Sequence, residues 1–175
     1  MQALPLIKKF SWVLLLIFLL LLTKVILFKG SPQYYKNYFR TTYHNYKIKE
    51  GIRKGNFVPF ATIKLFSASQ RMRMEYKVEN LLGNILIFIP LGFLLPLLIK
   101  RFRNTLAILL AGFFLSVFYE SFQIATGIGV FDVDDMLLNT LGTAIGVIIF
   151  WVIRKIFSSG GQNNSMVSTT STTPR

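Results

Sequence analysis

The stretch FYESFQIATGIGVFDVDDMLLNTLG, residues 118–142, decides how this chain is read. It lies between two strongly apolar runs and holds Glu120, Asp132, Asp134 and Asp135, four of the seven acidic residues in the chain. Carboxylates gathered at the edge of apolar segments call for a structural or a chemical reason, because an ionised group is costly inside hydrocarbon.

The surrounding sequence sets the class. The chain has 175 residues, 53% of them hydrophobic, with mean hydropathy +0.51. That is too apolar for an ordinary soluble domain. A bilayer core takes about 20 apolar residues per helix, and four segments qualify: 10–28, 81–99, 105–126 and 136–153. The expected fold class is an all-α integral membrane protein with four transmembrane helices and a long basic loop between the first two. Residues 1–157 are expected to form one membrane domain. The Ser/Thr/Gly/Asn-rich segment 158–175 is expected to be a disordered tail. The first apolar run, FSWVLLLIFLLLLTKVILF at 10–28, exceeds a typical signal-peptide core and has no clear small-x-small site after it. It reads as an uncleaved helix, with Lys24 able to snorkel outward.

The formal net charge is +13, and eleven basic residues, from Lys29 to Lys77, fall between the first two spans. Beside membrane helices such a loop points to anionic lipid head groups or another phosphate polymer, not to nucleic acid. Within it, YYKNYFRTTYHNYKIK places Tyr35, Tyr38, Phe39 and Tyr46 on one broad helical arc and Lys36, Arg40 and Lys47 on another. This predicts an interfacial amphipathic helix, with a solvated basic loop as the alternative. His44, the single histidine, is assigned no role. The apolar GNFVPFATIKLF, residues 55–66, is broken by Pro59 and is expected to lie on the membrane surface or dip into the bundle. Pro90 and Pro96 should kink the second span. The absence of cysteine excludes disulfides and thiolate metal sites and fits a bacterial envelope protein. The positive residues of the long loop and the N-terminal Lys8 and Lys9 give opposed orientation signals. The short N-terminal cluster favours cytoplasmic N- and C-termini in the cell membrane.

Polar residues form stripes on three spans. Ser116, Glu120 and Gln123 lie within about 60° on the third, with Glu120 roughly 9 Å inside the helix end. Asp135, Asn139, Gly142 and Gly146 share a face of the fourth, and Asn80 and Asn84 mark the start of the second. The candidate polar pocket is therefore Asn80, Asn84, Glu120, Gln123, Asp132, Asp135 and Asn139. Asp132 is also placed to cap the fourth helix, and Asp134 is explained as well by that helix's dipole as by a site. Gly142 and Gly146 form a GxxxG pattern that permits close helix packing, within the chain or between copies in an oligomer. No catalytic residue is assignable. Glu120, Asp132 and Asp135 could hold a divalent cation through oxygen ligands, although no cofactor is required, or Glu120 could serve as a general base. The acidic trio lacks the spacing of an EF-hand, and no catalytic-triad, P-loop or zinc motif occurs.

Four segments resemble the VanZ-like family: NFVPFATI (56–63), NLLGNILIFIPLGFLLP (80–96), SVFYESFQ (116–123) and FDVDDMLLNTLGTAIG (131–146). The resemblance spans about residues 10–155. It implies a small bacterial multi-pass membrane protein associated with low-level resistance to teicoplanin-type lipoglycopeptides. By resemblance, Asn80, Asn84, Pro90, Glu120, Gln123, Asp132, Asp135, Asn139 and Gly142 are the positions that matter. The family often carries an arginine shortly before its D-x-x-D stretch, where this chain has GIGV and Val130. Three functions follow as expectations. The first is an envelope factor that binds membrane lipids, a lipid-linked cell-wall precursor or the lipoglycopeptide itself. The second is an enzyme acting on a polyprenyl (pyro)phosphate, and the third a small transporter or assembly scaffold.

Overall fold

The computed structural model describes residues 3–28, 31–40, 44–68, 74–99 and 104–159. Seven helices follow in chain order: α1 (Ala3–Leu27), α2 (Pro32–Arg40), α3 (His44–Arg53), α4 (Ala61–Ala68), α5 (Met74–Leu98), α6 (Thr105–Thr126) and α7 (Val133–Ser159). Among the described residues there is no strand, only one isolated parallel bridge between Asn56 and Asp132. Four helices are long and apolar enough to cross a membrane: Lys9–Leu27, Leu81–Leu98, Thr105–Thr126 and Val133–Phe157. The chain is a multi-pass membrane protein by that measure.

The fourth span is longer than the sequence suggests, because α7 begins at Val133 with Asp134 and Asp135 in its first turn. Asp132 is its cap: its Oδ1 accepts the N–H of Asp134 at 2.9 Å, satisfying a donor that the helix itself cannot. At its far end α7 runs to Ser159, two residues into the segment expected as tail, and the remainder of that tail lies outside the described residues. The α6 boundaries are equally well marked. Asn104 Oδ1 accepts the N–H of Leu106 at 2.9 Å, and Gly127, at φ 69°, turns the chain out of the helix with its N–H on Ile124 O. α5 continues through both Pro90 and Pro96.

The long loop expected between the first two spans is instead built of short helices. α2, α3 and α4 occupy most of it, and α5 starts at Met74, well before its apolar run. Two tyrosines explain why α2 settles onto the bundle. Tyr35 and Tyr38 are buried; Tyr35 Oη donates to Leu27 O at 3.1 Å and Tyr38 Oη to Thr126 O. Each hydroxyl satisfies a carbonyl left open at the end of a spanning helix. The expected common arc of Tyr35, Tyr38, Phe39 and Tyr46 does not form, because Tyr46 belongs to the separate helix α3; Phe39 and Tyr46 are both exposed.

α7 is the central helix. It packs most extensively on α5 and next on α6, while α1 lies outside against α5 and α6. Contact between α5 and α7 is made through glycine. A Cβ built on Gly142 would sit 2.0 Å from Ile85 O, and one on Gly146 2.1 Å from Ile89 O. No side chain fits, so backbone meets backbone, and dispersion contacts replace the hydrophobic driving force that lipid does not provide. The glycine pair thus serves packing inside the chain. On the other flank Thr143 is fully buried, and a Cβ on Gly112 of α6 would lie 2.3 Å from its Oγ1. Phe88, Leu22, Ile108 and Val147 fill the apolar core.

Candidate functional site

The chain order sends α1 and α6 toward the same end of the bundle at which α5 and α7 begin. Helices α2, α3 and α4 and the turn 127–132 gather at that end. There the segment carrying Asn56 clasps the start of α7. Asn56 N donates to Phe131 O at 2.7 Å and Val133 N donates to Asn56 O at 3.0 Å. The Asn56 Nδ2 group donates to Asp132 Oδ1 at 2.8 Å and to Thr62 Oγ1 at 3.0 Å, and reaches Asp134 Oδ2 at 3.4 Å. Thr62 Oγ1 donates to Asp132 Oδ2 at 2.7 Å.

Asp134 is fully buried at the centre of this clasp. Its Oδ1 accepts the N–H of Phe60 and its Oδ2 the N–H of Thr62 at 2.8 Å. Hydrogen bonds of this kind offset the desolvation of a carboxylate. The loop adopts a strained form to deliver them. Phe60 has φ 66°, a region that bulky side chains seldom enter and that persists only where neighbours enforce it. Pro59 just before it ends any helical continuation, so that α4 starts at Ala61. Phe57 closes the outside by stacking on Phe131 at 4.9 Å.

Glu120 is buried, 3% exposed, and its Oε2 accepts the N–H of Asp132 at 2.9 Å. It therefore joins the end of α6 to the clasp. The other polar stripes pair off between helices. Asn84 Nδ2 of α5 donates to Asp135 Oδ1 of α7, Asn139 Nδ2 of α7 donates to Ser116 Oγ of α6 at 2.8 Å, and Gln123 Nε2 of α6 donates to Ile26 O of α1 at 2.9 Å. Asn80 lies in α5, one turn before Asn84, with its side chain outside the described residues. The candidate polar residues thus share one end of the bundle. Interhelical bonds link several of them around the Glu120–Asp132 contact, and Gln123, Asp132 and Asp135 line one cavity there. Asn139 Oδ1 is a buried acceptor with no hydrogen-bond partner among the described residues.

A cavity of about 400 Å³ opens beside the clasp. Ile26 and Leu27, at the end of α1, and Ile128, Val130 and Phe131 of the 127–132 turn are its apolar lining. Asn56, Thr62, Gln123, Asp132 and Asp135 are its polar lining, and Lys54 stands at the rim. A smaller hollow of about 200 Å³ adjoins it on the α3 side, between Tyr34, Lys47, Glu50 and Lys54. Glu50 binds both lysines, Lys54 Nζ at 2.8 Å and Lys47 Nζ at 3.1 Å. The hydrogen bonds from Lys54 and then Lys47 hold the Glu50 carboxyl below its ordinary range, and the same bond raises the Lys47 ammonium. Burial raises the Tyr38 phenol, helped by neighbouring Tyr34 and opposed by Lys47.

Metal binding requires several hard oxygen ligands aimed at one point. Among the described residues no group of three or more His, Cys, Asp or Glu side chains is arranged to hold an ion. The proposed ligands Glu120, Asp132 and Asp135 are divided: Glu120 and Asp132 meet through a backbone N–H, while Asp135 faces Asn84.

Asn56, Thr62 and Asp134 are the structural residues that sequence reasoning left out of the site. The signal was present in NFVPFATI, where two polar residues flank a proline inside an apolar segment, although nothing local names their partner.

The clasp, the buried Glu120, the second and third spans and most of the first and fourth fall within residues 13–154, and the sequence model of the VanZ/LLP1 family matches that whole stretch. The chain belongs to the VanZ/LLP1 family. No curated protein and no solved structure shows a significant match to it. For this VanZ/LLP1 family member the match runs from the first span into the last turns of the fourth, and includes every residue of the clasp.

Proposed function

We propose that this protein is an envelope factor of the bacterial cell membrane that lowers sensitivity to teicoplanin-type lipoglycopeptides by binding a lipid-linked ligand at the membrane surface. The observation that carries this reading is the cavity of about 400 Å³ at the end of the spans, lined by apolar residues of α1 and the 127–132 turn together with polar residues of the clasp, α6 and α7. An amphiphile suits such a mixed lining: its chain contacts the apolar residues, Ile26 and Leu27 among them, while its head group meets polar ones such as Gln123. A lipid-linked cell-wall precursor and the lipid-bearing antibiotic are both of this type. Seven basic residues, Lys8, Lys9, Lys100, Arg101, Arg103, Arg154 and Lys155, flank the spans at the other end. The short N-terminal cluster of Lys8 and Lys9 supports cytoplasmic termini, against the eleven basic residues between the first two spans.

A second reading is an enzyme acting on a polyprenyl phosphate, favoured by one observation: Glu120 is a carboxylate buried within a span. The scaffold reading has less support, since α5 already fills the Gly142 and Gly146 face.

Susceptibility to teicoplanin and vancomycin tests the proposal, in a sensitive host carrying no protein, wild type or Glu120→Gln at matched membrane levels. The expected result is tolerance to teicoplanin alone, lost in the variant. No change with wild type would overturn the resistance reading. Turnover of a labelled polyprenyl phosphate by the purified protein would favour the enzyme instead.

A further inference from the structure

The end of the bundle opposite the clasp carries its own groove. It has a volume of about 310 Å³ and is formed by Phe93, Pro96 and Leu97 of α5 with Phe150, Ile153 and Arg154 of α7. Leu97 and Ile153 are 50% and 39% exposed, so the groove opens sideways, toward the hydrocarbon that surrounds a spanning helix. Five of its six walls are apolar. The sixth, Arg154, is held with its guanidinium 5.0 Å from the centre of the Trp151 ring. A cation over an indole face is attracted to it without losing its hydrogen-bond donors. Arg154 is thereby fixed at the mouth of an apolar slot, with its planar donors able to meet a phosphate.

The charge of this end identifies the occupant. By their place in the sequence, none of the seven acidic residues belongs to it. Glu50 is in α3, Glu75 and Glu79 are in the first turns of α5, and Glu120 and the three aspartates are at the clasp. Lys8, Lys9, Lys155 and the three basic residues of the 100–103 link all lie by sequence at the groove end. A field of one sign and an apolar slot with an arginine at its mouth complement a molecule with one hydrocarbon chain to insert and a net negative head. A zwitterionic lipid offers the same phosphate but brings a second cation into a region without carboxylates.

The geometry points to a binding site for one anionic phospholipid between α5 and α7, an acyl chain against Leu97 and Ile153 and its phosphate on Arg154. This site is independent of the cavity at the clasp.

Trp151, beside the groove through its contact with Arg154, is a reporter of the site. The chain has two tryptophans, so Trp12→Phe leaves Trp151 as the sole indole fluorophore. The full-length protein would be placed in vesicles of phosphatidylcholine and phosphatidylglycerol with identical chains, with bromine on the chains of one lipid or the other. The expected result is that brominated phosphatidylglycerol quenches Trp151 as though it bound about five-fold more tightly than phosphatidylcholine. Arg154→Gln should bring that preference close to one, while Lys155→Gln should leave most of it. Arg154 is exposed, so its replacement should fold, and an unchanged unfolding midpoint would verify this. Equal quenching by the two lipids overturns the site. So does a preference that survives Arg154→Gln, which would reduce it to the general positive field of that end.

Discussion

The hydroxyl of Thr62 donates to Asp132 Oδ2 at 2.7 Å, joining two residues 70 positions apart in the chain. Through this bond and its neighbours, a loop from the segment between the first two spans becomes part of the start of the last one. The clasp is therefore a tertiary device that closes the bundle, and its members can be tested singly.

Breaking the clasp should destabilise the fold. Asp134→Ala leaves the part-buried N–H groups of Phe60 and Thr62 without their acceptor. At roughly 1–3 kcal/mol for each unsatisfied group, a loss of about 2–4 kcal/mol is expected. Asn56→Ala should cost less, about 1–3 kcal/mol, because its partners retain other donors. Thermal unfolding in detergent reads both. An Asp134→Ala protein that melts with the wild type would show that the clasp contributes nothing.

The α5–α7 contact predicts a contrast between two glycines of similar setting. Gly142→Ala places a methyl group 2.0 Å from Ile85 O and must push the helices apart, at about 1–3 kcal/mol or more. Gly83→Ala, in α5, meets nothing within 4 Å and should be neutral or stabilise by about 1 kcal/mol through helix propensity. Comparison of the two unfolding midpoints decides it, and equal effects would contradict the packing described.

The anchoring of α2 rests on two phenols. Tyr35→Phe and Tyr38→Phe each remove one hydrogen bond to a helix-end carbonyl, at Leu27 and Thr126, and each should cost about 1 kcal/mol. The loss should be local. Hydrogen exchange should quicken across residues 32–40 while the spans stay protected. Unaltered exchange in the double variant would place the anchoring elsewhere.

The Glu50 pair predicts a pH response on the acid side. Its carboxyl titrates lower in the folded protein than in the unfolded chain, so the folded state favours the ionised form. That contribution is fully present above the unfolded value, about 4.3. It disappears as pH falls through the lower folded value. Protease cleavage in residues 44–55 should rise over that window in the wild type, and Glu50→Gln should be cleaved readily and without the pH step. Identical pH profiles for the two proteins would refute it.

The spans were legible because bilayer length and apolar composition act over about 20 residues and need no partner information. Glu120 and Asp132 stood out for a related reason: charge at the edge of an apolar run is conspicuous wherever the chain folds. The clasp was not legible in the same way. Asp134 looked like an ordinary first-turn carboxylate, and its burial depends on Phe60 and Thr62, more than 70 residues away. The segment between the first two spans was legible in part: its tyrosine pattern pointed to an amphipathic helix, but not to two separate helices, α2 and α3. Yet Tyr35 and Tyr38 find carbonyls at the ends of α1 and α6, and that tertiary match stabilises a short helix that propensity alone would not. No periodicity in α5 discloses that Ile85 O is where Gly142 must fit.

The place of α7 between α5 and α6 has a consequence for biogenesis. The helix that completes the core is the last of these four spans to be synthesised. At ~5–20 residues per second, the earlier spans wait seconds in the bilayer before their common neighbour arrives. During that interval Asn84 and Ser116 lack Asp135 and Asn139, and the face of α5 that receives Gly142 and Gly146 has no α7 against it. A ribosome halted before residue 133 would leave three spans inserted without the α7 contacts on which α5 and α6 pack most extensively, open to the proteases that survey the membrane. Closure of this four-span bundle is therefore a post-insertion event, timed by the emergence of α7.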